Sequence, residues 1–99
     1  MGPHTGDTVV VKPGTLDPDL NIDIGGWQGR VEQVDNGTVL LKWDSITLSK
    51  MGVKIAIQCE NQNLDWEWMT LATHEVRKGA SRDTEADRRR VADMLRAEM

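Results

Sequence analysis

The sequence predicts a mainly β fold: one small, strongly bent antiparallel barrel with an inserted short helix and a C-terminal α-helix. Three observations carry this expectation. Short β-branched runs such as Val9-Val10-Val11 end at Pro-Gly or Gly-rich corners, Asp35-Asn36-Gly37 sits between two alternating segments, and helical periodicity is confined to two stretches. Ninety-nine residues, 38% hydrophobic and 28% charged, suit one domain with one modest core.

Residues 7–12 read as the first strand, closed by Pro13-Gly14. Residues 15–26 lack strand periodicity and form a long surface loop. In residues 27–34, Trp27, Gly29, Val31 and Gln33 alternate with Gln28, Arg30, Glu32 and Val34. Asn-Gly supplies the positive φ angles of a tight hairpin, so residues 38–43 return as the partner strand. Gly25, Gly26 and Gly29 are read as a barrel corner, Gly29 leaving room for a bulky neighbour. A short helix is expected at about 51–62, capped by Ser49, then strands at 67–72 and 74–78. After the break Gly79-Ala80-Ser81, Ser81 or Asp83 caps a helix running to about Met99. Its stripe, Val91, Met94, Leu95 and Met99, either packs back on the domain or offers a self-association surface. The domain is therefore placed at 1–78, and the linker and amphipathic helix at 79–99.

The stretches GDTVVVKPG and GWQGRVEQVDNGTVLLKWD resemble the opening of SH3-like small barrels of the KOW and Tudor type. The motifs GGWQGRV, WDSITL and LDWEWM, with the helix carrying Gln58-Cys59-Glu60, are similar to a small uncharacterised bacterial family, some members of which are labelled calcium-binding. The resemblance spans about residues 6–78. It implies an SH3-like fold and leaves function open, because small barrels host protein, peptide and nucleic-acid binding alike.

Net charge is −4, and it is unevenly divided. Residues 1–74 hold five Lys/Arg against ten Asp/Glu, while residues 75–99 hold seven against six. An acidic domain is poorly suited to gripping a phosphate backbone. The alternative of a KOW-like nucleic-acid binder would rest on Arg30, Lys42, Arg88, Arg89 and Arg90. The three consecutive arginines, interspersed with acids, read more simply as a solvated face with local ion pairs.

With neither Phe nor Tyr, all aromatic surface belongs to Trp27, Trp43, Trp66 and Trp68. Two or three of these are expected in the core. Trp66 and Trp68 would share one strand face, with Glu67 on the other. Trp43, Asp44, Asp65, Trp66, Glu67 and Trp68 form the expected contact surface for a protein or peptide partner of cationic character, the chain serving as an adaptor or subunit of a larger assembly.

Asp17, Asp19, Asn21 and Asp23 alternate like the opening of a calcium loop. Ile22 then stands where the sharp turn wants glycine, and Gln28 where a bidentate Glu is expected, so only a weak, non-EF-hand cation site is conceivable. No other cofactor is expected. Enzyme chemistry has thin support. Cys59 reads as a packed thiol, His74 as a surface residue, and Ser45 and Thr47 lack a nucleophile motif. One cysteine forbids an internal disulfide. No signal-like segment or membrane-length apolar run is present, which fits a cytoplasmic protein.

Overall fold

A computed structural model describes residues 2–99. It shows a small mixed α/β domain in which five strands form one antiparallel sheet and two helices pack against it. The strands are β1 (Thr8–Val11), β2 (Gln28–Asp35), β3 (Thr38–Trp43), β4 (Trp68–Ala72) and β5 (Val76–Lys78), in the sheet order β4-β3-β2-β1-β5. Helix α1 (Ser45–Asn61) lies between β3 and β4, and helix α2 (Glu85–Glu98) follows β5.

The expected closed barrel is not what this sheet forms: no β4–β5 ladder exists among the described residues, so the sheet is open. It is nevertheless strongly curled. A flat sheet would separate its outer strands by about 19 Å, at roughly 4.8 Å per step. Only the 3₁₀ turn Thr73–Glu75 joins β4 to β5, and so short a connection spans at most about 14 Å.

The hairpin forms where expected, with Asn36 and Gly37 at φ 36° and 84°. The alternation expected for β2 is interrupted, because the pairing with β3 shifts between Val31 and Gln33. This bulge at Glu32 bends the strand and inverts the alternation beyond it, so that Val34 lies opposite buried Val39 instead of sharing the face of Arg30 and Glu32. Gly29 permits a close approach: a Cβ there would lie 2.7 Å from the Lys42 carbonyl oxygen. Beside it Trp43 meets Trp27 edge-on, ring centroids 5.3 Å apart.

Helix α1 starts earlier than its periodicity suggests. Asp44, not Ser49, is the N-cap, and its Oδ1 accepts from the Thr47 backbone N–H at 2.8 Å. Gly52, at φ 76° and ψ 173°, breaks the helix into two segments across a kink. The sequence therefore exposed only the second segment's period. Helix α2 is capped by Thr84 in a reciprocal box with Asp87, rather than by Ser81 or Asp83.

The core joins Val9, Val11, Ile24, Val31, Val39 and Leu41 of the sheet side to Leu48, Met51, Ala56 and Cys59 of α1. Ala92 and Leu95 of α2 belong to the same cluster, so α2 packs back on the domain.

Candidate functional site

A groove of about 610 Å³ lies between the long β1–β2 loop, β4 and the second half of α1. Leu40, Met51, Ile55, Leu64 and Met69 supply apolar surface, and Asp17, Asp19, Asp65 and Glu75 supply carboxylates. The loop is held in place by its own main chain: Asp17 N–H donates to Ile22 O, and Leu16 bridges to Asp23. Asp17 Oδ1 accepts from Asp19 and Leu20 N–H, and Asp23 Oδ1 from Gly25 N–H. The carboxylates are thus fixed by Asx-type turns.

Cys59 lies buried among the residues lining the groove. Burial raises its thiol pKa, and the negative charges of Asp17, Asp19 and Asp65 raise it further. The same three acids therefore act on one point, which makes the groove electronegative. Among the described residues, no group of three or more His, Cys, Asp or Glu side chains is placed to hold a metal ion.

The expected tryptophan surface is largely core. Trp43 and Trp66 are 2% and 4% exposed. Trp66 precedes β4 instead of sharing a strand face with Trp68, and its indole N–H donates to Glu60 Oε2 at 3.2 Å. With Phe and Tyr absent, the sheet and helices draw on tryptophan to fill volume. Trp68 is half-buried, with Lys42 Nζ 4.8 Å from its ring centroid. Asp44 is a buried cap that also receives Arg82 Nε at 2.7 Å. Glu67 is taken by Arg88 Nη1 at 2.9 Å and by Arg96. Of the expected contact acids only Asp65 faces solvent beside the groove.

The expected basic surface is similarly dispersed. Arg30 binds Asp83, Lys42 lies near Glu32 and Glu85, and Arg88 is 4% exposed. Only Arg89 and Arg90 stand exposed, Arg90 paired with Asp87. The expected solvated face does not include Arg88, which is buried because it reaches across to Glu67.

Sequence reasoning missed the groove itself. Leu40, Met69 and Ile55 carry no motif, and they meet only when β4 lies beside β3 with α1 packed across. The acidic spacing of 17–23 was the one visible signal. No helix among the described residues is long and apolar enough to cross a membrane. Compared with protein-family models, curated proteins and solved structures, the chain matches none.

Proposed function

We propose that this chain is a non-enzymatic binding module of the SH3-like small-barrel type that captures a basic, partly apolar segment of a protein partner. The strand order, the curl of the sheet and the 3₁₀ turn between its last two strands support the fold reading. The observation that carries the function is the groove, where apolar side chains lie among Asp17, Asp19, Asp65 and Glu75. Carboxylates around an apolar surface favour Lys or Arg alternating with aliphatic residues, and they repel acidic competitors.

The probe is the heptapeptide acetyl-Lys-Val-Lys-Val-Lys-Val-Lys-amide, followed through tryptophan fluorescence at low and high salt. Binding should weaken with salt, and the triple variant Asp17→Asn/Asp19→Asn/Asp65→Asn should bind at least tenfold less tightly. Equal binding by the wild type and the triple variant would sink the reading.

A further inference from the structure

Resting on that reading, we infer that the basic segment binds by strand addition along the free edge of β4. All five residues of β4, Trp68 to Ala72, line the groove. Successive strand residues point to opposite faces of a sheet, so a groove touching every one of them runs along the strand's edge. β4 is the outermost strand, paired only with β3 among the described residues.

The ladder fixes which main-chain groups face the groove. Trp43 N–H donates to Glu67 O at 3.0 Å, and Thr73 N–H donates to Gly37 O at 2.8 Å. In an antiparallel ladder bonded and non-bonded pairs alternate. Glu67, Met69 and Leu71 therefore direct their N–H and C=O groups towards β3. The register pairs Lys42 with Trp68, Leu40 with Thr70 and Thr38 with Ala72, and these three residues of β4 direct theirs away. Glu75 Oε1 takes the Ala72 N–H at 2.9 Å and ends the open row. Trp68 and Thr70 keep outward N–H and C=O groups without a partner among the described residues.

An exposed edge of this kind templates an incoming strand. Proteins commonly protect such edges with lysines, proline or a covering loop. β4 instead has neither lysine nor proline, and the neighbouring loops contribute Asp17, Asp19 and Asp65. The charge selects the occupant: an extended cationic segment is attracted, whereas a second copy's β4, bringing the same carboxylates, is repelled.

The test uses the same heptapeptide in three forms: unmodified, N-methylated on the main-chain nitrogen of every lysine, or N-methylated on the main-chain nitrogen of every valine. Only alternate N–H groups of an added strand face β4, so one methylated form should lose at least tenfold in affinity while the other holds. In parallel, the Thr70 amide should exchange with solvent at least tenfold more slowly when the unmodified peptide is bound. The substitution Thr70→Pro removes an outward N–H that β3 does not use, and should weaken the peptide at least tenfold. If that variant fails to fold, the methylated peptides and the Thr70 amide decide alone. Equal binding by both methylated forms, still lost in the triple Asp→Asn variant, would overturn strand addition and leave the acidic groove standing. Failure of every peptide to bind at low salt would overturn both.

Discussion

Arg88 Nη1 lies 2.9 Å from Glu67 Oε1, and this contact joins the C-terminal helix to the residue just before β4. Both side chains are largely withdrawn from solvent, at 5% and 13% exposure. Removing one partner from such a pair leaves the other charge buried and unpaired, which costs about 3–5 kcal/mol in fully buried cases. Arg96 also reaches Glu67, so a vacated Glu67 keeps one cation. Arg88→Ala should therefore destabilise by about 2–3 kcal/mol in urea unfolding. Arg88→Met, which keeps the packing of the stem, should cost less. An Arg88→Ala loss below about 0.5 kcal/mol would show that the pair is no more than a surface contact.

Acid should loosen α2 before it unfolds the sheet. Glu85 has its pKa lowered, chiefly by its hydrogen bonds with Arg88, and Asp87 has its pKa lowered, first by the Thr84 N–H. A carboxylate whose folded pKa lies below its unfolded value contributes stability that is complete above the unfolded value. That contribution disappears as pH falls through the folded one. The window therefore opens below about pH 4.5 and extends downwards. Amide protection factors in residues 88–90 should fall through that window while those of β1 and β2 hold. Simultaneous loss of protection in α2 and the sheet would refute a helix-first sequence of opening.

Gly29→Ala tests the curl of the sheet. The added methyl would meet the Lys42 carbonyl oxygen at 2.7 Å and Trp43 Cε3 at 3.3 Å. Neither is a flexible chain end, so β2 and β3 must part. A loss of about 2 kcal/mol or more is expected from chemical unfolding. A neutral substitution would mean that the two strands are less closely apposed.

The extent to which the sequence disclosed this arrangement follows the range of the interactions. Asn36-Gly37 and the flanking alternation specify the hairpin locally, and β3 begins and ends where expected. The bulge at Glu32 was hidden, because one extra residue inverts the alternation without any compositional mark. Helix α1 was partly hidden, since Gly52 splits its periodicity into two short pieces. Asp44 reads as a contact acid because it stands beside Trp43 in the sequence. Its burial depends on Arg82, 38 residues away. Glu67 was misplaced for the same reason, its partners being Arg88 and Arg96. Asp17 and Asp19 stand out in the sequence as the opening of a calcium-like loop, and their meeting with Asp65 and Glu75 in the groove was not legible. The apolar half is assembled by topology.

Cys59 reports on that groove without any ligand. Burial raises its pKa first, and Asp17, Asp19 and Asp65 add to the effect. Thiolate, not thiol, reacts with disulfide reagents, so at pH 8 the native protein should react far more slowly than a free cysteine. The triple variant Asp17→Asn/Asp19→Asn/Asp65→Asn removes the charges and leaves the burial. Its thiol should react several-fold faster than the wild type's, yet still more slowly than the unfolded chain's. Added salt should accelerate the wild type more than the variant, since screening acts only where charge is present. Identical rates for the two proteins, with unchanged circular dichroism, would mean that the three carboxylates do not act together on the groove. The electrostatic basis for choosing a cationic partner would then be lost.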